Sequence, residues 1–285
     1  MITAPFDYQS PKSVDEAVSL LEQYGSNAKI LAGGQSLIPL MKLRLAEPEI
    51  LIDLAHIPSM SYIEKKNSGL VIGGMTTYTE LESSGIIPKA LSEAAGLVAD
   101  PQVRNRGTIG GSLAHSDPAA DLPAPIIALD GQIIATSKSG ERTIASEVFF
   151  TDLFSTALTD EELLTEVFIP NPSPATGTAY CKFGNKASHY AVTGVAVSLT
   201  VDDSGTCTRA RIGVTGTGPS AYRAIKAETS LVGTKLDQDS IDEAGANIIE
   251  NISVNEDVHA SSEYRAHLTK VYAVKAIVSA SNRTK

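Results

Sequence analysis

The stretch Leu31-Ala32-Gly33-Gly34-Gln35-Ser36-Leu37 directly follows a predicted buried strand at residues 29–31. Adjacent glycines have no Cβ, so successive backbone N–H groups can point into one concavity and approach an anion closely. The serine that follows adds a hydroxyl donor. This stretch therefore predicts an anion-binding loop, although a tight turn is the alternative for a single motif of this kind.

A second stretch, Thr108-Ile109-Gly110-Gly111-Ser112, has the same Gly-Gly pair and ends in the same hydroxyl residue. Two such loops could clamp a diphosphate between them, which makes the turn alternative weaker. A third stretch, residues 216–221, formally matches the dinucleotide fingerprint G-x-G-x-x-A. Its acidic partner at the required spacing, Asp237, does not end a predicted strand. We therefore interpret residues 216–221 as a strand-to-helix turn.

Two carboxylates, Asp117 and Asp121, follow the second glycine loop. Carboxylates accept hydrogen bonds from ribose or ribityl hydroxyls. Asp117 precedes Pro118 and is equally compatible with a local Asx turn, so Asp121 is the better ligand candidate. No second His or Cys lies at ligand spacing from His115, which favours a packed or surface histidine over a metal ligand.

A further group of polar side chains, Lys182, Lys186, His189 and Tyr190, lies early in the C-terminal third. Lys182 is suited to complement an anionic ring or phosphate, and Tyr190 to stack on a flat heterocycle. An ordinary basic strand edge with an aromatic anchor is an equal alternative.

The prolines at 170, 172 and 174 indicate a linker, because each removes a backbone donor and fixes φ. The predicted domains are residues 1–176, with subdomains of about 1–56 and 57–176, and residues 177–285. Capping boxes are predicted at residues 13–16 and 77–80, and long strands at 191–201 and 207–215. Helices are predicted near residues 221–232, 240–251 and 263–281. The last helix carries a helically spaced stripe predicted to face the core, namely Tyr264, Leu268, Val271, Tyr272 and Val278.

Composition excludes several classes of protein. The net charge of −10 disfavours nucleic acid, whose binding depends on clustered Lys and Arg. The two cysteines, Cys181 and Cys207, cannot supply the four thiolates of an iron–sulfur cluster. The N-terminus lacks a signal-peptide pattern, and the longest apolar stretch is too short and too polar to span a bilayer. We therefore expect a cytoplasmic protein without a membrane span.

The two glycine loops, followed by Asp117-Pro118-Ala119-Ala120-Asp121, resemble the FAD-binding medium subunits of molybdenum hydroxylases, the carbon monoxide dehydrogenase and xanthine dehydrogenase family. The resemblance extends from residues 6–8 to residues 263–265. It implies an α+β chain with a vanillyl-alcohol-oxidase-type FAD-binding fold, in which two α/β subdomains are followed by a small C-terminal α+β domain. The FAD contacts it implies are Leu31, Ala32, Gly33, Gly34, Gln35, Ser36, Leu37, Thr108, Ile109, Gly110, Gly111, Ser112, Asp121, Lys182 and Tyr190.

Two positions depart from the pattern of this family. His189 stands where an acid is common, and Ser112 replaces a frequent Asn. These departures are expected to change local hydrogen bonding and flavin tuning rather than FAD binding itself.

The resemblance also implies a function in a complex. Electrons would pass from a molybdopterin cofactor in a large subunit, through two [2Fe–2S] clusters in a small subunit, to this FAD and then to an external acceptor. The expected assembly is a dimer of heterotrimers, with no catalytic acid or base and no metal in this chain. Two alternatives remain: a self-contained FAD-dependent oxidoreductase on the same fold, with His189 or Tyr190 as proton donor, and a non-catalytic nucleotide-binding module.

Overall fold

The computed structural model describes residues 2–284, so the predicted domain limits at residues 1 and 285 lie outside this range. Its first sheet is parallel, with strand order β1-β3-β2. The strands are β1 (Asp7–Gln9), β2 (Ala28–Leu31) and β3 (Ile50–Asp53). Helix α1 (Val14–Tyr24) joins β1 to β2 and buries one apolar face against this sheet. The short helix α2 (Leu37–Lys42) follows the first glycine loop.

The capping boxes predicted from the sequence form to different extents. At α1, the Ser13 hydroxyl accepts the Glu16 N–H, but the Glu16 carboxylate accepts the N–H of Lys12 rather than that of Ser13. The box at Thr77 and Glu80 is complete, because side chain and backbone bond reciprocally. The helix that begins at Tyr78 therefore has both capping-box hydrogen bonds at its N-terminus, whereas α1 has one.

The second sheet is antiparallel, with strand order β4-β5-β10-β6-β7. The strands are β4 (Ile63–Lys66), β5 (Gly69–Gly73), β6 (Gln132–Ser137), β7 (Gly140–Ala145) and, after the small hairpin β8 (Phe150–Asp152) and β9 (Ser155–Thr156), β10 (Leu163–Pro170). The helices of this part are α3 (Tyr78–Ser83), α4 (Lys89–Leu97), α5 (Pro101–Arg104), α6 (Ile109–His115), α7 (Pro123–Ala128) and α8 (Ser146–Phe149). The second glycine loop leads directly into α6.

The third sheet is antiparallel, with strand order β11-β12-β13-β14. The strands are β11 (Thr176–Gly184), β12 (Ala191–Val201), β13 (Cys207–Thr215) and β14 (Tyr222–Arg223), followed by the helices α9 (Ile225–Leu231), α10 (Gln238–Asn247) and α11 (Ser262–Ser281). The bounds predicted for β12 and β13 are confirmed.

Both faces of the third sheet are covered. On one face, Val195 and Val197 pack with the C-terminal helices, whereas Tyr180 and Ala196 on the other face join the core that contains α4 and α7. Side chains of a strand alternate between faces, so β12 is buried at every position from Ala191 to Thr200 rather than at every second position. The third sheet is therefore an inner layer between the C-terminal helices and the core that contains α4 and α7.

Two predictions for the C-terminal part are wrong, the first of them in part. In the stripe predicted for α11, Leu268 is buried and Val271 and Tyr272 are half-buried, but Tyr264 and Val278 are 47% and 38% exposed. The buried residues of this helix are Arg265, Leu268, Thr269, Ala273, Ala276, Ile277 and Ala280. Residues 216–221 lead into strand β14 rather than directly into a helix, and α9 begins only at Ile225. Asp237 caps α10 by accepting the Ser240 N–H, which accounts for an acid at that spacing.

Candidate functional site

The first glycine loop packs against the backbone of Arg106 and Gly107, which lead directly into the second loop. A Cβ on Gly33 would overlap the Arg106 carbonyl oxygen and lie 2.7 Å from the Gly107 Cα. A Cβ on Gly111 would lie 3.4 Å from the Cβ of Ala32. Close approach of the loops therefore requires glycine at position 33, and the structure brings together the two motifs that the sequence singled out.

The first loop presents a row of unpaired donors. The backbone N–H groups of residues 33–37 have no hydrogen-bond acceptor within the part of the chain that the structure describes. Gly34 has a positive φ of 71°, while Ser36 is right-handed. A change of handedness within a short loop turns successive N–H groups toward one side, which creates a concave site for an anion. The prediction of an anion-binding loop agrees with this geometry.

The second loop differs, because its N–H groups are already used. Those of residues 109 and 110 donate to the carbonyls of residues 76 and 74 at 3.0 and 2.8 Å. Those of residues 111 and 112 donate to the Thr108 hydroxyl and carbonyl at 3.1 and 3.0 Å. Gly110 is required because a Cβ there would lie 2.6 Å from the Gly74 carbonyl oxygen. The second loop therefore reaches a ligand through side chains such as Ser112 rather than through these N–H groups.

The acidic segment after α6 is held by the third sheet. Thr215 donates its hydroxyl to the carbonyls of residues 118 and 120 at 2.9 and 2.6 Å. The Ala191 N–H donates to the Ala119 carbonyl at 3.1 Å. The Asp117 carboxylate accepts the Ala119 N–H at 2.8 Å, so the Asx-turn alternative is confirmed at that position.

Asp121 and Lys182, both predicted to contact a ligand, meet each other. Lys182 Nζ lies 2.8 Å from Asp121 Oδ2, and the Tyr180 hydroxyl donates to Oδ1 at 2.6 Å. Lys182 Nζ also donates to the Leu97 carbonyl at 2.9 Å. Burial raises the pKa of Asp121 to about 6, although Lys182 and Tyr180 both favour its ionised form. Each carboxylate oxygen thus already has a partner, and the two side chains form a buried unit rather than two separate ligand groups.

Tyr190 lies beside the first loop. The residue is 47% exposed, and its phenol is close enough to the Ser36 hydroxyl for that group to lower its pKa. Burial raises the pKa of Tyr190, and the negative charges of Asp117 and Asp121 raise it further. Lys186 and His189, in the same connection between β11 and β12, are exposed. Of this group, Tyr190 and Lys182 therefore lie at the candidate site.

Tyr78 belongs to the same site but no sequence motif marks it. The sequence placed it only within a capping box, at the first residue of α3. Its ring lies against Gly107, the residue that precedes the second loop. Tyr180 was also missed, because its role depends on the pairing of β11 with distant elements.

His115 packs against an aromatic ring. Its imidazole centroid lies 5.1 Å from that of Phe154, and burial lowers its pKa. Among residues 2–284, no cluster of three or more His, Cys, Asp or Glu side chains is arranged to hold a metal ion. Within the same range, no helix combines the length and apolar character needed to cross a membrane.

A glycine loop with a row of unpaired N–H donors, close to a second Gly-Gly motif, is typical of proteins that bind a nucleotide cofactor. Residues 4–172 match the family described as the FAD binding domain in molybdopterin dehydrogenase. Residues 178–280 match the CO dehydrogenase flavoprotein C-terminal domain. The chain belongs to this family of FAD-binding proteins.

Characterised relatives resemble the chain over its whole length. It is 38% identical to the alpha subunit of the 6-hydroxypseudooxynicotine dehydrogenase complex of Paenarthrobacter nicotinovorans, over 98% of this chain and 96% of the relative. A solved chain of carbon monoxide dehydrogenase from Hydrogenophaga pseudoflava is 40% identical, covers 99% of both chains and superposes with a TM-score of 0.95. A solved chain of quinoline 2-oxidoreductase from Pseudomonas putida 86 is 30% identical, also covers 99% of both chains and has a TM-score of 0.91.

Proposed function

We propose that this chain is the FAD-carrying electron-transfer subunit of a molybdenum hydroxylase. In this proposal it accepts electrons from two [2Fe–2S] clusters of a small partner subunit and passes them to an external acceptor, while a large subunit holds the molybdopterin cofactor. The observation that carries the proposal is the row of unpaired N–H groups at residues 33–37, in a chain of the FAD-binding family.

The residues present fit the diphosphate of FAD. Oxyanions are bound well by several backbone N–H groups that converge from one loop, and residues 33–37 offer them without losing any hydrogen bond among residues 2–284. The Ser36 hydroxyl lies at the same loop, and Ser112 and Thr108 contribute from the second loop. We assign the remaining predicted contacts to the same cofactor, with the Lys182–Asp121 pair beside it.

The chain itself supplies binding, orientation and shielding. Bound FAD can take up electrons singly and in pairs, which is the chemistry that the cofactor contributes. We assign Tyr190, on the connection between β11 and β12, to lie against the flavin ring and limit water. The Lys182–Asp121 pair adds no net charge while both groups are ionised, so it can orient hydrogen bonds without a large change in local potential.

Substrate oxidation belongs to other chains in this proposal. The two cysteines of this chain are both free, which leaves it without ligands for an iron–sulfur cluster. The three relatives are named for 6-hydroxypseudooxynicotine, carbon monoxide and quinoline, yet they match this chain along its full length. A conserved flavin subunit with different substrates supports a substrate site outside it.

The proposal also covers the fold type, the domain boundaries, the oligomeric state and the cellular location. We assign the vanillyl-alcohol-oxidase type of FAD fold, with domains at residues 1–176 and 177–285. The gap between the two family matches, and the interval between β10 and β11, support this division. We further propose a dimer of heterotrimers in the cytoplasm, a setting with which two free thiols are compatible.

The test is purification of the full chain without its partners. We expect stoichiometric flavin, neither iron nor molybdenum, and no oxidation of the physiological substrate until the partner subunits are restored. Turnover by the chain alone, at the rate of the full assembly, would instead establish a self-contained flavoenzyme. A purified chain that takes up no flavin would favour a nucleotide-binding module without redox function.

A further inference from the structure

We propose that His259 is a positioning residue of the flavin site. Its imidazole accepts a hydrogen bond from the Asn185 side chain, and this bond fixes the connection between β11 and β12, which ends in Tyr190. The inference rests on the proposed function, in which Tyr190 lies against the flavin ring.

The connection between β11 and β12 is closed by Asn185. The Asn185 N–H donates to the Tyr190 carbonyl at 2.8 Å, and the Asn185 carbonyl accepts the His189 N–H at 2.9 Å. The side-chain Oδ1 of Asn185 accepts the N–H groups of Ala187 and Ser188 at 2.8 and 3.1 Å. The backbone position of Tyr190 therefore depends on where Asn185 is held.

The side-chain nitrogen of Asn185 meets the His259 ring, with Nδ2 lying 3.1 Å from His259 Nδ1. Because Oδ1 already accepts two backbone N–H groups, the orientation of the amide is fixed, and Nδ2 faces the imidazole as a donor. Nδ1 must then be the acceptor, which assigns the proton of the neutral ring to Nε2. Position 259 therefore needs an acceptor at the place of Nδ1 to hold Asn185.

His259 is anchored to the third sheet through a buried arginine. Asp257 Oδ1 accepts the His259 N–H at 2.8 Å, and Asp257 Oδ2 lies 2.7 Å from Arg265 Nη2. Arg265 is 2% exposed, and its Nη1 donates to the carbonyls of Val192 and Gly216 at 2.6 and 2.8 Å. The Asn185–His259 hydrogen bond therefore ties the connection to a point that is fixed beside the start of β12.

Tyr190 lies between two attachments of the connection. After it, the Ala191 N–H donates to the Ala119 carbonyl at 3.1 Å, and before it, Asn185 is held by His259. All five residues line one cavity at the surface. Because Tyr190 is 47% exposed, packing alone restrains its ring weakly, so the two attachments determine where the ring lies.

The first experiment measures the connection directly, in the flavin-free full chain. Trypsin cleaves after the exposed Lys186, and cleavage there requires the connection to open locally. We expect His259→Leu to raise the rate of cleavage at Lys186 about fivefold, the usual effect of losing one hydrogen bond. The masses of the fragments identify the cleaved bond.

Two further variants make this result specific. His259→Asn should keep a rate near that of wild type, because the asparagine Oδ1 is as many bonds from the Cα as the histidine Nδ1 and can accept in its place. His267→Leu, at an exposed histidine of α11, is the matched control and should leave the cleavage rate unchanged.

The second experiment measures the effect at the flavin. Flavin fluorescence and reduction potential are compared in loaded chains of wild type, His259→Leu, His259→Asn, Tyr190→Ala and the double variant His259→Leu, Tyr190→Ala. We expect His259→Leu to change both quantities in the same direction as Tyr190→Ala but less, since the tyrosine is still present. The double variant should equal Tyr190→Ala, because His259 acts through Tyr190, and His259→Asn should restore the wild-type values.

The inference fails if His259→Leu is cleaved at the wild-type rate, or if His259→Asn is cleaved as fast as His259→Leu. It also fails if His259→Leu leaves the flavin unchanged, or if the two substitutions have additive effects in the double variant. Failure of the proposed function gives a different result, because wild type itself would then bind no flavin. The role at the flavin would be overturned in that case, while the cleavage rates would still decide whether His259 holds the connection.

Discussion

Lys182 Nζ lies 2.8 Å from Asp121 Oδ2, and both side chains are only 4% exposed. The lysine comes from strand β11 of the third sheet, whereas the aspartate precedes α7, which packs on that sheet. This buried pair therefore joins the two halves of the chain at the edge of the candidate flavin site. A buried ion pair as a whole contributes modestly to the free energy of unfolding. The loss of one partner is strongly destabilising, because it leaves an uncompensated buried charge.

Lys182→Met should destabilise the chain in a pH-dependent way. At pH 8 Asp121 is ionised, and without its lysine we expect a loss of about 3 kcal/mol in the free energy of unfolding. The folded-state pKa of Asp121 is about 6, above its ordinary value of 3.8, so the folded chain favours the protonated form. The contribution of Asp121 to the free energy of unfolding is therefore fully present below pH 3.8 and is lost as the pH rises through 6. Removal of Lys182 makes this loss larger.

Urea unfolding of the full chain at pH 5 and pH 8 checks this prediction. The difference between Lys182→Met and wild type should be smaller at pH 5, where Asp121 is largely protonated. Lys186→Met, at an exposed lysine of the same segment, should match wild type at both pH values. An equal loss at pH 5 and pH 8 for Lys182→Met would contradict the role given to the Asp121 charge.

Gly33→Ala should loosen the contact between the glycine loops. The added methyl group meets the Arg106 carbonyl and the Gly107 Cα, so we expect about 1–3 kcal/mol of destabilisation, as is usual for overpacking. FAD retention should fall as well, because the row of N–H groups starts at this residue.

Gly85→Ala is the matched control, because nothing lies within 4 Å of the position of its added Cβ and its φ is not positive. Flavin content after gel filtration and the melting temperature of the flavin-free chain measure the two effects separately. A Gly33→Ala chain with wild-type values in both would show that the loops do not need this contact.

Glu228→Gln should destabilise the C-terminal part. Glu228 is 4% exposed and accepts hydrogen bonds from the Arg223 guanidinium at 2.8–3.1 Å and from the Ile212 N–H at 2.9 Å. Loss of its charge leaves Arg223 with the exposed Glu147 carboxylate, at 2.7 Å, as its remaining partner, for which we expect about 2–4 kcal/mol of destabilisation. Glu250→Gln removes an exposed pair with Lys226 and should cost less than about 1 kcal/mol. Urea unfolding at one pH compares the two variants, and equal values would contradict the prediction.

Features that depend on local sequence were predictable. The glycine loops, the strands β12 and β13 and the complete capping box at Thr77 are specified by neighbouring residues, because turn chemistry and apolar runs act over short distances. The stripe on α11 was predicted wrongly for a physical reason. A helix that packs closely on a sheet buries small residues such as Ala273 and Ala276, so large residues such as Tyr264 can lie outward.

Features that depend on long-range packing could not be predicted. Asp121 and Lys182 were each recognised as ligand candidates, but their mutual pairing bridges 61 positions and follows from the way α7 packs on the third sheet. The glycine pair at 110 and 111 suggested free N–H donors, yet Gly110 is required by a close approach of Gly74. The same motif in two loops therefore has two physical causes, and only the three-dimensional structure distinguishes them.

Tyr190→Ala should change the properties of the bound flavin without unfolding the chain. The residue is 47% exposed and lies near Ser36 of the first loop, so its removal costs little packing but uncovers the flavin position that we propose. We expect stronger flavin fluorescence, because an aromatic ring stacked on a flavin normally quenches it, together with a shifted reduction potential.

Tyr264→Ala, at a tyrosine of equal exposure on α11, is the control and should leave both quantities unchanged. Fluorescence and potentiometric titration of the flavin-loaded chains check this, with the melting temperature as the measure of folding. If the Tyr190→Ala spectra and potential equal those of wild type, Tyr190 is a packing residue of the connection between β11 and β12 and has no contact with the flavin.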